Sequence, residues 1–265
     1  MLRLIVVAQL LITLLSLGRL GLSMVLFSGA VLSAMYLLVS RKMPSGRYSK
    51  IQWADMPWLY DGIARMAAKL RINMPTIYIE DTYVPNAYSF GTSIVLSAGL
   101  FEVLSDVEIL AVAAHEMGHI KNGDTILFPL VSYGRYLMLL VSVATAVLSH
   151  STIVRYISLL LFVTYEVERR RFLRRREFKA DDVAVRVLDT PYALKNALEE
   201  LKYYEDVRER LARNTVLPSI EPSLERWEKT KSSWTYLMST HPSYDERILR
   251  IMSIVESSKL LEALK

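Results

Sequence analysis

Three stretches of this 265-residue chain carry almost no charge, and they limit what it can fold into. Residues 4–17 (LIVVAQLLITLLSL) and 22–39 (LSMVLFSGAVLSAMYLLV) are apolar and flank Gly18-Arg19-Leu20-Gly21. Residues 126–165 form a third block, interrupted by Arg135, Arg155 and the pair His150-Ser151. A bilayer core takes about 20 apolar residues per helix, with about 17 as the lower limit. The second run meets that length and the first is short. The reading is a transmembrane helical hairpin over 1–40 that turns near Arg19, and a second over 126–165 that turns at His150-Ser151. Pro129 is expected to kink the third span, and Tyr133, Arg135 and Tyr136 to mark its interface. A cleaved signal peptide would share the basic Arg3, but the apolar sequence runs on past the turn without a small-residue cleavage site.

Orientation follows the flanking Lys and Arg residues. Arg41, Lys42, Arg47 and Lys50 follow the second span, and Arg169, Arg170, Arg171, Arg174, Arg175 and Arg176 follow the fourth. The turns carry only Arg19 and the nearby Arg155. Both long polar regions are therefore expected to be cytoplasmic, in a multi-pass integral protein of a plasma membrane. The arginine run reads as a stop signal and headgroup anchor. A nucleic-acid patch is disfavoured, because the run abuts an apolar span and has little aromatic interleaving.

The polar regions are expected over 41–125 and 166–265. In the first, Asp55 is placed to cap a helix with Pro57 in its first turn. TIYIED (76–81) and SIVLS (93–97) alternate like strands, with Pro85-Asn86-Ala87-Tyr88 as a bend or exposed edge. Ser105-x-x-Glu108 is a capping box that opens a helix near 106, and Asn122-Gly123 ends it. In the second region, helices are read over about 166–188, from Thr190-Pro191, and over 243–264. Residues 214–240 have two prolines and no firm period, and are read as a mobile loop.

The chain has no cysteine, so thiolate ligands and cysteine nucleophiles are excluded, and it has only four histidines. Two of them lie in AAHEMGHIKNGD (113–124). His115 and His119, four apart on a helix, leave the same face one turn apart, which lets two imidazoles reach one Zn²⁺. Glu116 sits where it can reach a water activated by that metal. A third protein ligand is needed, and no histidine stands near Leu127 where an extended motif would place one. Glu177 is the expected ligand, and Asp181, four residues on, is placed to hold the free N–H of a ligand histidine. His115 and Glu177 can meet only if the block between them crosses the membrane an even number of times, as two spans do.

His-Glu-Met-Gly-His with Glu-Phe-Lys-Ala-Asp resembles the paired motifs of gluzincin peptidases. With the flanking apolar hairpins, the chain from about 50 to 250 resembles the HtpX-like integral-membrane metalloproteases, relatives of the CAAX prenyl endopeptidases. PNAYSFGTS (85–93) is similar to a segment that precedes the family's metal helix, with Tyr88 and Ser89 in place of Phe and Ala. THPSYDERI (240–248) is similar to its late His-Pro segment. The resemblance implies a mainly α membrane protein with a cytoplasmic α+β zincin-type, minigluzincin-like catalytic domain containing a small sheet. It also implies one Zn²⁺ per chain, and stress-related quality control that cleaves misfolded or surplus membrane proteins and unfolded polypeptides in the prokaryotic plasma membrane. It places Asn86, Ala87 and Tyr88 beside substrate, pairing as a strand, and offers His241 and Arg247 as oxyanion donors. Two other readings stand beside it: a specific processing peptidase of CAAX-protease type, and a membrane adaptor with a structural zinc.

Overall fold

The computed structural model describes residues 1–39, 48–214 and 242–263. His241, the basic residues 41, 42 and 47, and nearly all of the stretch read as a loop over 214–240 lie outside them. The chain forms two compact units, one of residues 1–44 and 123–175 and one of residues 45–122 and 176–265.

The first unit is helical. Helix α1 (Leu2–Leu17) and α2 (Arg19–Val39) pack on each other and on α6 (Asp124–Leu148). The turn between α1 and α2 requires glycine twice. Gly18 has φ +57°, a left-handed conformation that side chains disfavour. A Cβ on Gly21 would stand 2.3 Å from the Thr13 carbonyl oxygen, so the two helices touch backbone to backbone. Polar groups tie the bundle together where no water reaches. Gln9 Nε2 donates to Ser158 Oγ at 2.6 Å, and the Thr13 and Thr145 hydroxyls lie 2.8 Å apart. Such bonds fix helix register in apolar surroundings, at about 0.6 kcal/mol each.

The outward faces of these helices are apolar: Leu15, Leu26, Phe27, Val147, Ile153 and Leu160 are all exposed. So much continuous apolar surface marks a contact with lipid or protein rather than water. Residues Arg19–Leu38 and Asp124–Leu148 are long and apolar enough to cross a bilayer. Of the four spans expected from sequence, these two reach that length and hydropathy. Helix α1 has 16 residues. The fourth does not stand alone, because α7 runs unbroken from Thr152 to Val187. The expected break before a separate ligand helix near 166 is absent, since arginine, glutamate and leucine are all good helix formers and no Gly or Pro interrupts them.

The second unit contains a mixed four-stranded sheet, with strands β1 (Tyr48–Lys50), β2 (Thr76–Glu80), β3 (Ala87–Phe90) and β4 (Ser93–Ser97) in the order β1-β2-β4-β3. β2 and β4 are parallel, and β1 and β3 pair antiparallel at the two edges. Helix α3 (Pro57–Leu70) opens with Pro57 at its first position, but its N-cap is Met56. Asp55, expected as the cap, instead accepts a hydrogen bond from the Gln52 amide at 2.8 Å. The short α4 (Ala98–Val103) leads into α5 (Asp106–Asn122). The start of α5 is pinned by Glu108, which accepts from both the Ser105 amide and hydroxyl. Its end falls at Gly123, with φ +72°.

Helix α5 is the centre of this unit. It packs against α3, β3, β4 and α8 (Ala193–Asn214), and its residues 111–119 are buried without a break. The surrounding core includes Leu59, Ile63, Ile77, Ile94, Leu96, Leu194 and Ile251 of α9 (Tyr244–Ala263), all at most 1% exposed. The final stretch of α7 meets α5 through its smallest residues. A Cβ on Gly118 would lie 2.9 Å from both Cα and carbonyl oxygen of Ala180, and 3.2 Å from its Cβ. Two of those neighbours are backbone and the third is a Cβ, so none can swing aside. Gly118→Ala is therefore expected to destabilise the protein by about 1–3 kcal/mol, the usual cost of overpacking, and Gly118→Leu to prevent assembly of the unit. Thermal unfolding of the purified variants checks this, and an unchanged melting temperature for Gly118→Leu would refute the close contact.

Candidate metal centre

The contact between Gly118 and Ala180 brings two motifs together. His115 and His119 project from α5, and Glu177 stands one turn before Asp181 on α7. All four are buried. The Nε2 atoms of His115 and His119 are 3.1 Å apart, and Glu177 reaches them with Oε2 at 3.6 Å and Oε1 at 3.7 Å. An ion of zinc's size, held tetrahedrally at about 2.0–2.2 Å, sets its ligand atoms about 3.3–3.6 Å apart. The separations of 3.1–3.7 Å lie close to that spacing, and among the described residues these three side chains form a group that could hold a metal ion. Two imidazoles and a carboxylate are three protein ligands, which leaves a tetrahedral ion one position for water or substrate. Glu116 follows His115 by one residue, about 100° round the helix, and is buried with it.

The far side of His115 is built as carefully. Its Nδ1 lies 2.8 Å from Asp181 Oδ1, so Nδ1 carries the proton and Nε2 faces the ligand cluster. Asp181, fully buried, is met by Arg247 of α9, whose Nη2 and Nε donate to Oδ1 at 2.6 Å and Oδ2 at 3.0 Å. Burial works against a charged Asp181, but the Arg247 guanidinium and the His115 ring outweigh it and hold the carboxyl below its ordinary value. One turn on, Arg250 pairs with Asp182 at 3.0 Å and stacks over Phe178. Helix α9 thus holds α7 through two adjacent acidic residues, Asp181 and Asp182. Its own start is set by a reciprocal box in which the Ser243 hydroxyl accepts from the Glu246 amide and Glu246 accepts from the Ser243 amide. The Ser243-x-x-Glu246 spacing is itself a capping-box signature legible in the sequence.

The other sequence-derived residues divide. Arg247 is engaged on the Nδ1 side of His115, away from Nε2, rather than standing free as a donor. Asn86 bonds through its backbone to Ser97, and Ala87 and Tyr88 open the edge strand β3, which packs on α5. The Tyr88 hydroxyl is 2.7 Å from that of Tyr48, a contact between the two edge strands that sequence gave no means of finding.

A model of peptidase family M48 matches residues 54–255. The Protease HtpX homolog of Persephonella marina is 28% identical over 253 residues, 88% of each chain. That of Tropheryma whipplei (strain TW08/27) is 31% identical over 221 residues, 76% of this chain and 74% of its own. Protease HtpX homolog 2 of Methanosarcina acetivorans is 27% identical over 254 residues, 86% and 83% of the two chains.

Two outcomes follow from the geometry. In the metal-free chain, burial and Arg247 depress the His115 pKa, but the hydrogen bond and charge of Asp181, with Glu177, overcome them and lift it to about 9. Because that value lies above the ordinary one of about 6.5, the ion pair contributes fully below pH ~6.5 and is lost as the pH rises through about 9. A metal must displace the Nε2 proton. Metal binding at neutral pH is therefore expected to release a proton, and apparent affinity to rise about tenfold per pH unit up to that pKa. Calorimetric titration in buffers of different ionisation enthalpy measures both. Asp181→Asn is expected to weaken metal affinity by about 10–100-fold while leaving the three ligand side chains in place, as competition against a chromogenic chelator would show.

Proposed function

The chain belongs to peptidase family M48, a membrane-associated metalloprotease of the HtpX type, and on that premise we propose that it is a zinc-dependent endopeptidase that cleaves misfolded or surplus membrane proteins at the cytoplasmic face of a prokaryotic plasma membrane. The observation that carries this reading is the buried trio of His115, His119 and Glu177 with Glu116 beside it, in a chain that also has lipid-compatible apolar helices. Imidazole and carboxylate donors in three positions, with no sulfur, suit zinc in a hydrolytic rather than a structural role. Bound there, zinc supplies a Lewis acid that makes water nucleophilic near neutral pH and polarises a scissile carbonyl.

The chain's own residues do the rest. Glu116 takes the proton of the attacking water and returns it to the leaving amine as the peptide bond breaks. Asp181 keeps His115 in one tautomer with Nε2 turned to the metal. Arg247 is a positioning residue: it neutralises Asp181 and holds it against His115. The oxyanion role falls to His241, whose placement lies outside the described residues.

Substrate selection rests on the edge strand. β3 pairs with β4 on one side, and an extended polypeptide adding to its other side, beside α5, would be held by main-chain hydrogen bonds largely independent of sequence. That tolerance suits damaged membrane proteins better than a single processing site. On the two-span reading of residues 126–165, both motifs return to one side of the membrane, and the arginines after the fourth apolar run support the cytoplasm as that side.

Glu116→Gln is expected to retain about one zinc per chain while cleavage of casein or an unfolded membrane protein falls by at least 10²–10⁴-fold, roughly the contribution of general-base catalysis. Metal analysis and a gel assay on the detergent-solubilised pair measure this. Undiminished cleavage by the variant would remove Glu116 from the mechanism. Zinc-loaded unmutated protein that cuts only a prenylated C-terminal peptide would favour the specific processing enzyme, and cleavage of nothing the adaptor.

A further inference from the structure

Helix α7 carries a continuous exposed stripe that changes character partway along. Ile153, Tyr156, Leu160, Val163 and Val167 follow one another at steps of three and four residues, on one face, and each is exposed. This apolar stripe is about 21 Å long at the rise of an α-helix. The next two positions on the same face are Arg171 and Arg175. Val167 and Arg171 are separated by one turn, about 6 Å, so the stripe passes from hydrocarbon-compatible to cationic within a single headgroup layer. Beneath the two arginines lies one acid. Glu168 has a side chain only 9% exposed and accepts from Arg171 Nη1 at 2.8 Å, while Arg175 Nη2 stands 3.7 Å from its other oxygen. Arg175 Nε also donates to the Arg171 carbonyl at 3.3 Å.

Both guanidinium groups are thereby held in place, yet their side chains remain 64% and 66% exposed. Two cations share one carboxylate, so the pair keeps a net positive charge. Guanidinium N–H groups fit phosphate oxygens in bidentate fashion. We infer that Arg171 and Arg175, fixed by Glu168, form a binding site for the phosphate of an anionic phospholipid in the leaflet where the apolar stripe ends. A zwitterionic headgroup is a poorer match, because its own ammonium already offsets its phosphate. A nucleic acid is excluded by the stripe, which would be forced against its charged backbone. The inference rests on the membrane reading above and adds to it a lipid class.

The test uses the full-length protein in mild detergent, incubated with equimolar phosphatidylglycerol and phosphatidylcholine of the same chains, with retained lipid counted by native mass spectrometry. Phosphatidylglycerol is expected to be retained preferentially. Arg171→Gln/Arg175→Gln is expected to weaken its retention by about 25-fold, at roughly five-fold per arginine near an anionic surface. Lys195→Gln/Lys202→Gln removes the same charge from α8 and is expected to change nothing. Arg171→Lys/Arg175→Lys, which keeps the charge without the bidentate fork, guards against misfolding and should lie between. Equal retention of both lipids, undiminished retention by the glutamine pair, or displacement of the lipid by millimolar inorganic phosphate would each overturn the site. If zinc content and casein cleavage are intact in those samples, the lipid site alone has failed. A protein that neither enters micelles nor cleaves casein would remove the membrane-protease reading, and the lipid site with it.

Discussion

Everything chemical in this protein depends on how closely α5 and α7 approach each other. Metal ligands on two helices must converge to within a few ångströms, and side chains of ordinary size at the crossing would hold the helices too far apart. Gly118 and Ala180 remove that obstacle. The residues of the candidate site then lie one turn to either side of the crossing or closer: His115 and His119 flank Gly118, and Glu177 and Asp181 flank Ala180. The small residues within the HExxH segment are therefore part of the site's geometry.

The same closeness creates an electrostatic problem that α9 resolves. A fully buried aspartate is costly unless it is paired and hydrogen-bonded. Asp181 has both, through His115 and a two-pronged contact from Arg247. Removing either partner would leave a buried charge short of compensation, which couples the orientation of the His115 ring to the docking of a helix at the other end of the sequence. Arg250 repeats the pattern one turn later against Asp182 and Phe178.

The residues legible in the sequence are those whose signal is local. His115, Glu116 and His119 announce themselves by helical spacing, as do Glu177 and Asp181. Ser105 and Glu108 mark a helix start because both ends of the box lie within one turn. What stayed hidden depends on partners far along the chain. β1 is three residues long and has no alternation to detect, and it exists because β2 is there to pair with. The partner of Arg247 lies 66 residues away, and no spacing rule links them. The charge run after residue 165 suggested a boundary because it changes solvent preference. Helix continuity, however, is set by backbone propensity, and α7 passes through without a break.

One feature of this architecture bears on how the protein is made. The candidate ligand set is split between α5 and the far end of α7, with the longest apolar block of the chain between them. A nascent chain that ends before Glu177 holds the two imidazoles of the candidate site and no carboxylate from α7, and Asp181 and Arg247, which meet the Nδ1 side of His115, are later still. The candidate ligand set is therefore complete only once the intervening apolar helices have also been made.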